Sequence, residues 1–279
     1  MPFFASDAED SLQQQISNFT LFGYNKDGQK EWDLMGRQAD INGTKVSLTD
    51  VESILYDTNQ TVAVTAKKGD FDRAQGNISL KENVVVKTST GIALETQQLD
   101  WDRQQKIVWT KQPVNIRAND VDIKGVGICA QQDMRLVSLE KDVKVEFPEN
   151  TSSKEPEIQH VDSALKKTNT ISITCEGPLE IDTLHNRALF TKNVKVVLPE
   201  AVMESDTLEV FFSGKQNLPN HPQSEGINSS KVEKIIARQN VRITKDGNCS
   251  FSNEAIYTLK DKKLVLSGSP QLVIETEKE

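Results

Sequence analysis

The 279-residue chain is poor in the residues from which metal centres, disulfide frameworks and many active sites are built. Its three cysteines, Cys129, Cys175 and Cys249, stand far apart with no C-x-x-C spacing, which indicates neither a zinc ribbon nor a disulfide framework. Buried free thiols are the expectation; one disulfide with a leftover thiol is the alternative in an oxidising compartment. The three histidines, His160, His185 and His221, lack H-x-x-x-H spacing and have no cysteine or carboxylate at ligand intervals, so solvated loop positions are expected and no metal or cofactor. There is no G-x-S-x-G elbow, no phosphate-cradling G-x-x-x-x-G-K-[ST] loop and no dinucleotide fingerprint. No run approaches the roughly 18 consecutive apolar residues of a membrane helix. Residues 1–17 lack the basic and long apolar regions of a secretory signal, which is expected to have been removed or never present. Aromatics are only 6% and hydrophobic residues 36% against 27% charged, which fits a globular protein with a β-branched interior. A balance of 33 Lys plus Arg against 41 Asp plus Glu, with no basic patch interleaved with aromatics, sets nucleic acid aside.

What the chain does contain is alternation. Ser6 and Glu9 have capping-box spacing and Leu12 and Ile16 stand four apart, so a short N-terminal helix is expected there. From Phe19 onward apolar residues recur at every second position, most cleanly in Asp142-Val143-Lys144-Val145-Glu146-Phe147, which on a pleated strand gives one dry and one wet face. Turn pairs such as Asp27-Gly28, Asn42-Gly43 and Asp246-Gly247 punctuate it at short intervals. An all-β chain follows, built as a sandwich, a jelly roll or a β-solenoid.

An imperfect repeat accompanies the alternation: an apolar run, a small turn, then Asn, Asp or Pro followed by valine. It gives Asn83-Val84, Pro113-Val114, Asp142-Val143, Asn193-Val194 and Asn240-Val241, with a looser copy at Leu264 to Leu272. The first two steps are 30 and 29 residues, room for two to four short strands each. The next two are 51 and 47, because polar insertions at 149–170 and 213–230 interrupt the array. The expected organisation is a helix or leader remnant at 1–18, a β unit at 19–149, a linker or loop at 150–170 and a second β unit at 171–279.

Residues 19–147 resemble the LptC-type domain of lipopolysaccharide export. The likeness rests on Phe19-x-Leu21-x-Gly23-Tyr24, Gly28-x-x-x-Trp32-x-Leu34-x-Gly36-x-x-Ala39, Ala66-Lys67-Lys68-Gly69-Asp70-Phe71 and Leu80-x-x-Asn83-Val84-x-Val86. It continues in Gly91-x-x-Leu94-x-Thr96-x-x-Leu99-x-Trp101-Asp102, Thr110-x-x-Pro113-Val114, Gly125-x-Gly127-Ile128 and Asp142-Val143-x-Val145-x-Phe147. From about Ile171 the chain resembles the related OstA or LptA-type repeat, most clearly in Ile235-x-Ala237-x-x-Asn240-Val241-x-Ile243, Ala255-x-Tyr257 and Leu264-x-Leu266-x-Gly268-x-Pro270. The resemblance implies an open, twisted β-jelly roll, either two consecutive rolls or one extended roll. It also implies a periplasmic, non-enzymatic carrier that shields lipopolysaccharide acyl chains on the way from an inner-membrane ABC transporter toward the outer membrane. An LptC-type protein usually begins with a membrane helix; this chain has none, so its tether is expected to have been lost or replaced.

Other chemistry is poorly supported by the residues. Asp100 and Asp102 flank Trp101 as glycosidase carboxylates might, but a turn at a strand end is the plainer reading. A polysaccharide lyase on a parallel β-helix would need a dense charged cluster at one level, which the repeat lacks. Seven N-x-[ST] sequons, from Asn18 to Asn248, arise easily by chance in a chain rich in Asn, Ser and Thr, and carry little information if the source is bacterial, as the resemblance implies. The inward, lipid-facing set expected from alternation is Trp32, Leu34, Val84, Val86, Ile92, Leu94, Val114, Ile116, Val143, Val145 and Phe147, continuing through Val194, Val196, Val241 and Ile243. Unpaired edges suited to strand addition are expected at Phe19, Leu21 and Tyr24 and at Leu272, Val273 and Ile274, within a last strand over 271–275. The expected partners are transporter subunits with periplasmic jelly rolls, LptA-like or outer-membrane rolls, and a second copy head to tail. The competing reading is a structural or adhesive β-repeat protein with a closed interior. Proline at Val273 should weaken end-to-end assembly, measured by sedimentation, without unfolding the remainder; loss of folding would mean that this strand is central.

Overall fold

A computed structural model describes residues 14–56, 60–118, 121–131, 134–148, 170–212, 232–261 and 263–274. It is all β. The strands are β1 (Gln14–Tyr24), β2 (Lys30–Asn42), β3 (Lys45–Tyr56), β4 (Thr61–Asp72), β5 (Ile78–Thr88), β6 (Ile92–Asp102), β7 (Ile107–Ala118), β8 (Val121–Gln131) and β9 (Leu136–Pro148). They continue as β10 (Thr170–Cys175), β11 (Leu179–Asp182), β12 (Arg187–Val197), β13 (Ala201–Phe212), β14 (Val232–Lys245), β15 (Asn248–Thr258), β16 (Lys263–Ser267) and β17 (Gln271–Val273). Each pairs antiparallel with its neighbour in sequence. β10 and β11 both lie between β9 and β12, and β16 and β17 both lie against β15. The 17 elements are therefore 15 strands in one meander.

Almost every strand is bent near its middle, and the bends line up across the sheet. Register shifts fall between Thr65 and Lys68, Lys81 and Val84, Thr96 and Asp100, Thr110 and Pro113, Thr191 and Val194, Glu204 and Thr207, and Arg238 and Val241. Left-handed residues mark the same line: Asn18, Asp50, Glu82 with Asn83, Asp142, Lys192 with Asn193, and Gln239 with Asn240. Asn and Asp tolerate this region best among residues with a Cβ. A row of bulges bends and over-twists most strands at the same level, so the sheet folds along it into two facing layers. In β7, for example, residues 107–110 belong to layer I and 113–118 to layer II.

The repeat in the sequence is this fold line. The residue after each left-handed position turns into the corner: Val51, Val84, Val143, Val194 and Val241 are each at most 2% exposed. Inward residues straddling the bend are four apart on some strands (Leu80 and Val84, Leu139 and Val143, Phe190 and Val194, Ala237 and Val241). They are three apart on others (Thr96 and Leu99, Ser205 and Leu208, Ser252 and Ala255). The extra residue is the bulge, two on one strand facing one on its neighbour. Bulging releases carbonyls from the ladder, and hydroxyls at the corner take them: Thr96 Oγ1 donates to Pro113 O at 2.9 Å, Ser205 Oγ to Thr207 O at 3.0 Å and Ser252 Oγ to Glu254 O at 3.0 Å. Among the described residues no buried side-chain polar atom lacks a partner. At Gly125 an added Cβ would stand 2.9 Å from Leu139 Cδ2, so a side chain there would displace the fully buried Leu139.

The core runs the length of the roll. One cluster extends from Val114 to Ala255, and two smaller ones, around Val51 and around Val84, meet at Leu80. Residues 149–169 lie outside the described residues, yet β9 and β10 on either side pair in register from Phe147 with Ile171 to Val143 with Cys175. The structure corrects the expected helix at one point. Ile16 and Ser17 lie in β1, opposite Ala39 and Gln38, because a four-residue spacing fits one face of a strand as well as one turn of helix; Ser6, Glu9 and Leu12 lie outside the described residues. Cys129 is exposed rather than buried, since it points outward opposite Trp109, while Cys175 is buried as expected and Cys249 is half-buried; none of the three is in a disulfide.

The bend makes a prediction separable from packing. Asn193→Gly keeps the left-handed conformation and should leave stability nearly unchanged, whereas Asn193→Val should cost about 1–3 kcal/mol. Urea unfolding of both variants measures the difference.

Candidate functional site

The interior between the layers is the one place where sequence and fold converge. In layer II a single file of directly paired residues crosses all 15 strands. It starts Leu21, Leu34, Ser53, Val64, Val86, Leu94, Ile116 and Ile123. It continues Val145, Ile173, Val196, Met203, Ile243, Ser250 and Leu272. All but two members are apolar, and the file opens on the first strand and closes on the last. Layer I faces it with its own file, in the second half Thr110, Ile128, Leu139, Leu179, Phe190, Leu208, Ala237, Ala255 and Leu266.

All the residues expected from alternation lie on this inner face. Val84, Val114, Val143, Val145, Phe147, Val194, Val196 and Val241 are buried near the bend or deep in the roll. Trp32, Leu34, Val86, Ile92, Leu94, Ile116 and Ile243 are half-buried, further from the corner or nearer an end. Val64, Ile123, Ile173 and Met203 belong to the same file; short alternations such as Val62-x-Val64 and Val121-x-Ile123 were the signal for them. The layer I file follows from strict alternation across the bend only on strands with four-residue spacing, such as Leu139 with Val143 and Phe190 with Val194; strands with three-residue spacing change phase there.

Openness varies along the roll. At the centre, between Ile123, Val145 and Phe147 of one layer and Leu179, Phe190 and Val210 of the other, the remaining cavity is about 10 Å³, at the lower limit for one water. There the layers touch. At the bend they are sealed by the valines, and opposite the bend no strand pairing joins the tips of the two layers among the described residues.

Both ends are unpaired edges. β1 pairs only with β2, and β16 and β17 only with β15, among the described residues. Native sheets usually blunt such edges with charge or proline; β1 carries neither from Gln14 to Tyr24. Ile16, Leu21, Phe22 and Tyr24 are 46–62% exposed at one end, and Leu264, Val265, Leu272, Val273 and Ile274 are 43–64% exposed at the other. Phe19 differs from the other expected edge residues in being buried in the corner, while Glu275 lies outside the described residues. Beside the first edge a charged knot ties β2 to β3 and reaches β1 through Lys30 over Phe22. Buried Asp33 accepts from Lys30 Nζ at 2.6 Å, Tyr56 Oη at 2.8 Å and the Ile54 amide at 3.2 Å, and Lys30 lies over the rings of Phe22 and Tyr56. The hydrogen bond from Lys30 holds the Asp33 carboxyl below its ordinary value of 3.8, and the same bond raises Lys30.

Groups considered for catalysis are used elsewhere. His185 sits in the β11–β12 turn on Asp182 at 2.6 Å, and Asp102 accepts the amides of Gln104 and Gln105 at 2.9 Å, a turn cap. His160 and His221 lie outside the described residues. Among the described residues there is no group of three or more His, Cys, Asp or Glu able to hold a metal, and no helix is long and apolar enough to cross a membrane.

An open antiparallel jelly roll with an apolar interior and two free edges is the class of protein the geometry defines. Residues 5–147 match the family model of LptC-related lipopolysaccharide-assembly proteins, and the chain belongs to that family. Its role is accordingly in lipopolysaccharide transport, with partners in that periplasmic machinery. No curated protein matches the chain.

The knot sets a pH dependence. Because Asp33 titrates lower in the folded chain, its contribution is present above pH 3.8 and is lost as pH falls through its folded value. Amide protection at Ile54 and its neighbours in the β2–β3 pairing should therefore drop selectively below about pH 4, and Asp33→Asn should show that drop at neutral pH, as read by hydrogen exchange.

Proposed function

We propose that the chain is a non-enzymatic bridge that carries lipopolysaccharide by its acyl chains between the layers of the roll, from the inner-membrane transporter toward the outer membrane. The observation that carries this reading is the unbroken file from Leu21 to Leu272. A carrier must shield apolar chains over its whole length, and a file that ran only part way would strand them in water. Shielding is worth roughly 0.8 kcal/mol per methylene and needs no directional contact, so tails can slide past Val, Ile and Leu without a strong resting place. In the centre, where the layers touch, a tail exchanges apolar contact for apolar contact as the layers part, with the bend as the hinge line.

The two edges support end-to-end joining by strand addition to jelly rolls of the transporter on one side and of LptA-like or outer-membrane proteins on the other. Residues 170–274 are read as the LptA-like extension of the LptC-like first half, since they continue the same layers. Both end strands run from layer I to layer II. A second copy added head to tail with its layers in line therefore pairs in parallel, which keeps Leu21 beside Leu272. Residence in the periplasm with a tether at the inner membrane follows the same reading.

A photo-crosslinking residue placed at half-buried Ile116, and separately at exposed Asn115, tests the carrier. Adducts with lipopolysaccharide are expected at Ile116 and not at Asn115. Silence at Ile116, and equally at Leu94 and Ile243 in folded protein, would favour a packed structural repeat.

A further inference from the structure

The tips of the two layers form the lips of the mouth opposite the bend, and the lips differ in charge. Resting on the carrier reading, we propose that the turns of layer I form a cationic lip that holds the anionic, phosphate-bearing headgroup of the amphiphile whose tails lie inside. Among the described residues the layer I tips are the β2–β3, β4–β5, β6–β7, β8–β9, β11–β12 and β15–β16 connections, so the lip recurs at every second strand. Neighbouring turns are then about 9.5 Å apart, twice the strand spacing.

On three consecutive turns the lip presents Lys45, Arg73, Arg103 and Lys106, all exposed, and none of them has an ion pair among the described residues. Some cations elsewhere on the surface are matched, as in Arg37 with Asp50 at 2.9 Å, Lys68 with Glu82 at 2.6 Å, Arg117 with Asp122 at 2.9 Å and Lys245 with Glu200 at 2.9 Å, and others, such as Lys67, Lys87, Lys124 and Lys195, have no ion pair among the described residues; the lip differs in bringing four of the unmatched ones onto one rim. The acids of the same turns face backward. Asp72 Oδ1 accepts the amides of Ala74 and Gln75 at 2.9 and 3.2 Å, and Asp102 does the same for Gln104 and Gln105. The four cations stay exposed, Arg103 with its side chain laid over Gly76 of the neighbouring turn, where an added Cβ would meet its Cδ at 2.9 Å. Lip II has no such row: its β5–β6 turn is Ser89-Thr90-Gly91, and its other described turns balance Lys26 with Asp27 and Lys245 with Glu200 and Asp246. In a chain of net charge −8, a row of unmatched cations along one rim is a local inversion of the overall field.

A second, independent feature lies directly beneath. Phe71, Ile78, Trp101 and Val108 are paired one to the next across β4, β5, β6 and β7, each half-buried on the inner face of layer I. Each cationic turn thus caps an apolar rung, the order of groups that an anionic amphiphile lying with its tails inward requires. Contacts at exposed cations are individually weak and screened by salt. A headgroup held this way can step from turn to turn while the tails slide.

The test uses the full chain with Lys45→Gln, Arg73→Gln, Arg103→Gln and Lys106→Gln combined. A control carries the same charge change on layer II, Lys26→Gln, Lys87→Gln, Lys124→Gln and Lys195→Gln. The probes are a bisphosphorylated hexa-acyl lipid A, the same lipid stripped of phosphate, and inorganic phosphate as competitor. The lip variant should bind the phosphorylated lipid about tenfold more weakly and the stripped lipid unchanged, with the gap closing at about 1 M salt. The control should match the unaltered chain, and all three should unfold at the same temperature. Equal weakening for both lipids, an equal loss in the control, no loss at all, or full competition by millimolar inorganic phosphate would overturn the lipid-headgroup assignment. If the unaltered chain takes up neither lipid, the carrier reading fails first and the lip falls with it.

Discussion

A sheet that must hide one face from water needs a cover, and this chain uses the sheet itself. The constraint on which everything else depends is the row of bulges at mid-strand, where one or two residues enter left-handed backbone and the next apolar side chain drives into the corner. Because nearly all strands bend at one level, each contributes to both layers and no second sheet or helix is required. The corner hydroxyls of Thr96, Ser205 and Ser252 are part of the same device, since carbonyls released by bulging would otherwise be buried without donors. What is left open follows directly: a mouth opposite the corner and two ends.

Much of this is written in the sequence, though not in the form in which it first reads. Alternation in 142–147 identifies β9 and its dry face, and the Asn-Val or Asp-Val pairs locate the bends. Nothing local says that such a pair folds a sheet, because the same residues serve equally in a turn between short strands. In layer I, Leu139 and Phe190 keep the phase of Val143 and Val194 across the bend, whereas on β13 the three-residue step from Ser205 to Leu208 changes it, so alternation carries over the bend on some strands and fails on others. Ile16 reads equally as helix or strand, since a spacing of four satisfies both periodicities and only the partner strand decides. Cys129 shows the converse, a small apolar residue turned outward by the register of β8.

The interior is graded rather than uniform. Packing is tight at the centre, where Leu139, Leu179 and Leu208 are at most 1% exposed, and looser toward the N-terminal strands, where Leu34, Leu55, Val86 and Leu94 are half-buried. A sheet hinged along one line can widen at its rim with small changes at many bends, whereas a closed barrel would have to break a ladder. The same openness puts the polar part of an amphiphile at the rim, where charge costs nothing to keep in water.

In a meander without crossovers, each strand touches only the strands beside it, so the roll is mechanically one-dimensional. Its stability is then a chain of nearest-neighbour terms, and its weakest members are the two end strands, each held on one side only. Fraying begins there. Any strand that pairs onto β1 or β17 converts an end into an interior position, so joining rolls lengthens the path and removes the places from which each would unravel. A bridge built this way should be more cooperative than its separate pieces, and its resistance to unfolding becomes a property of the assembled length.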